Sequence, residues 1–404
     1  KFIERINIVG NNVTNDSVIR GEMIADEGDP YSELLVNKSI NRLKSKNIFG
    51  KVNHKVLPGS SNDNTIIEIE VEEKPTGEIA AGAGVGTEGT SFNFFVTENN
   101  WMGRGIKLKG SLDLSTESVR GGIDVTNPNY NYSGNAVSAS FNSTKTDRLS
   151  KSGYESTKTS ASLGTSFEQY KNIFLSPQID ASYESVSTDA TASTNLQKME
   201  GDYTSLDFGY GITYDKRNQR FQPSEGFVTR FRQSLPIYAD TPALGNTFTF
   251  NKYNTFTEDV IGALKFYARN INSLSSDEDV RVSSRIYLPA SRLRGFQSGK
   301  FGPKDGDDHV GGNYAAALSF EALLPNLLPE ETKTDVSLFL DTANLWGVDY
   351  DKDLDQSNTI RSSVGVTGNV FTPIGPLNLT LAQPLLEAST DKTETFTFRL
   401  GTSF

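Results

Sequence analysis

The chain has 404 residues, a formal net charge of −11, 36% apolar residues and a mean hydropathy of −0.43. No stretch approaches the roughly 18 apolar residues of a membrane-spanning helix, and the acidic balance argues against a nucleic-acid partner. Cysteine is absent while Gly (35), Phe (24) and Tyr (15) are plentiful, which suits an envelope protein without disulfides. The chain opens on Lys1-Phe-Ile-Glu4 with neither a Met nor a signal peptide, so it is expected to be mature or truncated, and export is inferred from the rest.

Residues 1–75 read as a small α+β unit, in the order β-α-α-β-β. A strand at 2–9 is followed by the turn Asn11-Asn12, a short helix at 17–24 and a longer one at 32–47. Leu34, Leu35, Ile40 and Leu43 form the apolar stripe of the longer helix, and Asp29-Pro-Tyr-Ser32 supplies its start signal. Strands at 52–57 and 65–72 flank the turn Pro58-Gly-Ser-Ser-Asn-Asp-Asn64. This order predicts a three-stranded sheet with both helices on one face.

From residue 76 to 404 helical periodicity gives way to alternation, as in Leu206/Phe208/Tyr210/Ile212/Tyr214 and Val336/Leu338/Leu340. A transmembrane β-barrel has this signature, because every second residue faces the lumen and is polar. Strands are expected at 77–86, 89–98, 103–115, 118–127, 134–146, 155–167, 172–187 and 203–215. The remaining eight fall at 225–235, 247–259, 261–272, 312–323, 334–343, 360–371, 376–384 and 394–403. The sum is sixteen; Val280–Leu288 also alternates, but a seventeenth strand would break the even count, so it is assigned to a loop. With residues 1–75 in the periplasm, the long connections 188–202, 236–246, 273–311 and 344–359 all fall outside, as barrels of this kind require. The alternating strands alone also fit a soluble sandwich, which the lipid-like face disfavours.

Chemistry-bearing patterns are sparse. His54 and His309 lie in different regions and no cysteine accompanies them, so no ordinary zinc site can form; no nucleophile–histidine set, P-loop or dinucleotide fingerprint appears. Neither a cofactor nor catalysis is expected. Asp349–Asp355 holds four aspartates, which fit a solvated acidic loop better than a Ca²⁺ site.

The connection 273–311 is too long for plain punctuation and carries Arg292-Leu-Arg-Gly-Phe-Gln297, with Arg294, Gly295 and Phe296 at its centre. Folded into the lumen, Arg294 would need carboxylate partners. Period-two counting supplies them: Leu318 and Phe320 to lipid turn Ser319 and Glu321 inward, and Leu338 and Leu340 to lipid turn Asp341 inward. At the chain's end, Phe396, Phe398, Leu400 and Phe404 share one face of an alternating strand that also contains Gly401. The first barrel strand, Ala80-Ala-Gly-Ala-Gly-Val85, includes Gly82 and Gly84 and is poor in large side chains; these glycines either weaken a seam or permit tight curvature.

Several of these segments together resemble the BamA family of outer-membrane protein assembly factors. The likeness runs through Val71-Glu-Glu-Lys-Pro-Thr-Gly77, Gly86-Thr-Glu-Gly-Thr-Ser-Phe92, Asn100-Trp-Met-Gly103, Val125-Thr-Asn-Pro128 and Tyr214-Asp-Lys-Arg-Asn218. It continues in Phe221-Gln-Pro-Ser-Glu-Gly226, Thr372-Pro-Ile-Gly-Pro-Leu377 and the C-terminal strand. Leu293-Arg-Gly-Phe296 resembles the family's Val-Arg-Gly-Phe motif with Leu for Val, and Phe404 stands where several relatives have Trp.

The resemblance implies one periplasmic POTRA domain, the last of several, on a sixteen-stranded outer-membrane barrel, with Arg294 bonded to Glu321 and Asp341. It implies a gate between first and last strands, here Ala80, Gly82, Gly84, Phe396, Phe398, Leu400, Gly401 and Phe404. It further implies unfolded outer-membrane β-barrel clients, accessory assembly lipoproteins bound through the periplasmic domain, and outer-membrane lipids as partners. A TamA-like subunit, a two-partner secretion transporter and a diffusion porin are the alternatives; the first 75 residues count against the porin.

Overall fold

The computed structural model describes residues 1–373 and 375–401. At the N-terminus, strand β1 (Phe2–Val9) runs parallel to β3 (Asn64–Glu73), which pairs antiparallel with β2 (Phe49–Pro58), giving the order β1-β3-β2. Helices α1 (Asp16–Arg20) and α2 (Glu33–Ser45) supply the apolar cover. Ile3, Ile6, Ile67 and Ile69 meet Ile19, Val36, Ile40 and Leu43 in one fully buried cluster. The stripe on α2 differs from expectation: Leu34 is 63% exposed and Val36 is buried. Positions 36, 40 and 43 fall on one helical face, and 34 lies two residues off it. The first helix also ends sooner than expected, at Arg20. A Cβ on Gly21 would sit 2.1 Å from the ring of Tyr132, so the glycine admits an aromatic side chain from the connection between two barrel strands.

Sixteen antiparallel strands close a barrel, from Gly77–Gly86 to Phe396–Gly401. The alternation makes the wall: Phe320, Leu338 and Leu340 are exposed outward, while Phe339, Asp341, Ala343 and Leu345 are buried inward. Many strands run beyond the apolar core of the alternation, as in Tyr154–Tyr170 and Ile173–Thr188. The expected loop at 236–246 is a correction of this kind. Strands Gly226–Ala239 and Ala243–Thr257 absorb most of it and leave only 240–242 as the connection. Ladder hydrogen bonds continue there without any need for a lipid-facing side chain.

The connection 274–313 turns inward and builds its own small core in the lumen. Ile286, Leu288, Leu293, Phe296 and Phe301 pack on Ala315, Ala317, Ala343 and Leu345 of the wall. Small inward side chains at 315, 317 and 343 leave the volume that the loop fills.

Candidate functional site

The loop motif sits against four neighbouring strands, Val260–Ser273, Tyr314–Leu324, Thr334–Trp346 and Arg361–Thr372. Register brings Lys265 opposite Ser319, Ser319 opposite Asp341, and Asp341 opposite Ser363. Arg294 closes on this row. Its Nε and Nη2 donate to the two oxygens of Asp341 at 2.7 Å each, and its backbone N–H donates to Oδ2 at 3.1 Å. Nη2 also lies 2.9 Å from Glu321 Oε1 and 3.0 Å from Ser319 Oγ. Ser319 donates to Asp341 Oδ1 at 2.6 Å, and Ser363 donates to the Arg294 carbonyl. Lys265 takes the other Glu321 oxygen at 2.5 Å, so two cations face two carboxylates and the buried charges cancel. The guanidinium also stacks 3.6 Å over the ring of Phe339, an arrangement open to a planar cation.

The motif's other two residues fix where the loop goes next. Gly295 has φ +89°, and a Cβ there would press on Ala382 at 3.1 Å. Phe296 is fully buried and bridges to Thr393. Glu394 donates its N–H to the Gly295 carbonyl and Gln297 donates to Lys392, both at 2.9 Å. The loop thereby pairs with residues 392–394, the segment that leads into the closing strand Phe396–Gly401. A second ion pair holds the same segment: Arg361 donates through Nε and Nη2 to Asp391 at 2.7 and 2.9 Å, with both side chains wholly buried.

At the seam, among the described residues, register joins Arg399 to Gly86, Leu400 to Val85 and Gly401 to Gly84. Thr87 donates to the Phe398 carbonyl at 3.1 Å, and Arg399 pairs with Glu88 across the seam. Glycine is required at this junction. A Cβ on Gly86 would meet Phe398 O at 2.5 Å, and one on Gly401 would meet Ala83 O at 2.1 Å. Phe396 and Phe398 pair with Leu381 and Leu379 on the other side of the closing strand. Ala80 and Gly82 belong to the first strand, outside the described seam pairs, and Phe404 lies outside the described residues.

Alternation in the sequence turns Ser319 inward without giving it a role, and it leaves Lys265, Phe339, Ser363, Arg361 and Asp391 unmarked as contributors. Lys265 is reachable by the same alternation that marks Ser319 and Glu321. Sequence reasoning also misjudged Asp349 as solvated: Arg285 pairs with it, and the Val280 N–H donates to it at 2.7 Å. Among the described residues, no cluster of three metal-ligating side chains occurs.

A small α+β domain ahead of a closed sixteen-stranded barrel, with a loop tied into the lumen, defines an outer-membrane β-barrel protein with a periplasmic POTRA domain. The Omp85 superfamily domain matches residues 100–404, and the POTRA family described as surface antigen variable number repeat matches residues 2–74. The chain belongs to the Omp85 superfamily.

Its curated relatives include outer membrane protein assembly factor BamA of Neorickettsia risticii, 28% identical over 100% of this chain and 55% of that protein. BamA of Neisseria meningitidis serogroup B is 23% identical over 100% of this chain and 56% of its own length. The chain thus spans about half the length of the curated relatives it matches. Among solved structures, BamA from Haemophilus ducreyi lacking POTRA domains 1–3 superposes with a TM-score of 0.90 at 23% identity, covering 100% of this chain and 84% of that one. CdiB from Acinetobacter baumannii superposes at 0.60 with 10% identity, covering 99% and 74%. These two likenesses concern the fold.

Proposed function

We propose that this chain inserts and folds β-barrel proteins in the bacterial outer membrane by offering a strand edge at the seam between Gly77–Gly86 and Phe396–Gly401. The difficulty it would relieve is energetic. Unpaired backbone groups in lipid cost several kcal/mol each, so a client strand needs a hydrogen-bonding partner before it enters. A barrel edge supplies that partner by strand addition. The observation that carries this reading is glycine on both sides of the described seam, Gly84 and Gly86 facing Gly401 and Arg399, where a Cβ on Gly86 or Gly401 would strike the facing backbone.

The lumenal loop then has a mechanical role. By pairing with 392–394 it holds the segment before the closing strand in place, so Arg294, Gly295 and Phe296 would set the geometry of the edge presented to a client. Residues 1–75 would be the periplasmic domain that receives clients and accessory lipoproteins, and 76–404 the barrel that meets lipid. The BamA relatives support the assembly activity by name.

An export pore is the second reading, since a closed sixteen-stranded barrel encloses a lumen. The ion-paired loop across the lumen favours work at the wall over passage through the pore. Reconstitution into liposomes with an unfolded barrel client distinguishes them: accelerated client folding supports the insertase, and ion flux without it supports a pore.

A further inference from the structure

A cavity of about 650 Å³ opens in the lumen beside strands Ala136–Arg148, Tyr154–Tyr170 and Val260–Ser273. Its lining carries a charge opposite to that of the chain. Arg120, Arg148, Lys158 and Arg269 come from the wall, and Arg281 and Arg285 from the lumenal loop. Against these six cations stand two lining carboxylates, Glu184 and Asp207, in a protein of net charge −11.

The charges are only partly answered. Arg281 reaches Glu184 at 3.3 Å, Arg285 pairs with Asp349, and Arg148 lies 3.8 Å from Glu117. Arg120 donates to the neutral amide oxygen of Asn142, and among the described residues no ion pair engages Lys158 or Arg269. More telling are the buried donors on the loop side. Arg285 is 3% exposed, yet among the described residues its Nη1 has no hydrogen-bond partner; neither do Arg281 Nε and Ser283 Oγ. All three residues line this cavity. Buried guanidinium and hydroxyl groups are ordinarily satisfied, and three of the nine unsatisfied side-chain atoms among the described residues belong to neighbours in this one loop segment that line the cavity.

We infer that this cavity binds a phosphate-class oxyanion, which bridges the loop residues Arg281, Ser283 and Arg285 to the cationic wall. A multiply charged oxyanion accepts several charge-assisted hydrogen bonds at once and offsets the excess of positive side chains, which a single neutral or singly charged group cannot. The volume accommodates either free phosphate or a phosphate carried on a sugar. Bound there, the anion fastens the first half of the lumenal loop, as Arg294 fastens the second. The inference needs no client and stands apart from the insertase reading.

The test is binding of inorganic phosphate and of glucose 1-phosphate to the full chain in detergent micelles, at ionic strength held constant with chloride. Calorimetry and thermal unfolding read the result. A saturable enthalpy and a saturable rise in Tm with either probe are expected. Lys158→Gln and Arg269→Gln, each on an exposed lumenal side chain, should weaken binding by roughly threefold or more while preserving the fold. Tighter binding of glucose 1-phosphate identifies the sugar-linked form; equal or weaker binding identifies the free anion. Absence of saturable binding with both probes, or variants that bind as the parent does, overturns the inference.

Discussion

Asp341 holds Arg294 across 47 residues of chain through two N–H···O bonds of 2.7 Å, and it does so with no exposed surface of its own. Such geometry makes the loop's position depend on one guanidinium. Burial strips both groups of water, and what compensates is the two-pronged contact together with the hydroxyls and Lys265 around it.

Replacing Arg294 with Ala should therefore leave Asp341 as an uncompensated buried charge, while Lys265 still faces Glu321. The expected loss is about 3–5 kcal/mol for a buried pair broken on one side. Thermal unfolding of the barrel in micelles should report it, together with slower client folding in liposomes. Arg294→Lys should recover little, because an ammonium cannot make both bonds to Asp341 and lie flat over Phe339.

The Arg361–Asp391 pair is the second fastening of the segment before the closing strand, and both side chains are wholly buried. Either Arg361→Gln or Asp391→Asn alone should destabilise strongly. The double substitution should cost clearly less than the sum of the two, because it removes the lone buried charge that each single change leaves behind. A double-mutant cycle on thermal stability measures the coupling; additivity would count against a shared role.

The periplasmic domain should show a local dependence on acid through Glu73. Partial burial works to raise its pKa, but the side chain of Thr14 and the backbone N–H groups of Thr14, Val13 and Asn12 outweigh it, at 2.6 to 3.2 Å. The folded carboxyl therefore titrates below its usual value. Its contribution is complete above the unfolded pKa of about 4.5 and is lost as pH falls through the folded value. Hydrogen exchange at residues 12–14 should accelerate over that acid window, and Glu73→Gln should remove the pH dependence.

Much of the wall was legible because lipid enforces alternation: once Phe320, Leu338 and Leu340 face outward, Ser319, Glu321, Phe339 and Asp341 must face inward. Arg294 stood out because a long connection carried cations with few other ways to be satisfied. Arg361–Asp391 was not legible. Asp391 lies in an irregular connection with no period to assign its direction, and its partner lies two strands away. Strand ends differ for a related reason: beyond the membrane the ladder continues on backbone bonds, so Gly226–Ala239 stays paired with Gly201–Asp215 out to Ala239, across one irregularity, after its pairing with Ala243–Thr257 ends at Ser234. On α2, hydrophobicity alone puts Leu34 in the stripe, whereas angular position leaves it exposed.

The seam offers the most direct measurement. The sequence contains no cysteine, so one introduced pair at Val85 and Leu400, which are register partners, is the sole disulfide available to the chain. Oxidised and reduced forms of this variant would be compared in liposomes for their ability to fold an unfolded barrel client. Loss of acceleration in the locked form, restored by reductant, is the predicted result. Equal acceleration by locked and reduced barrels would contradict strand templating at the seam.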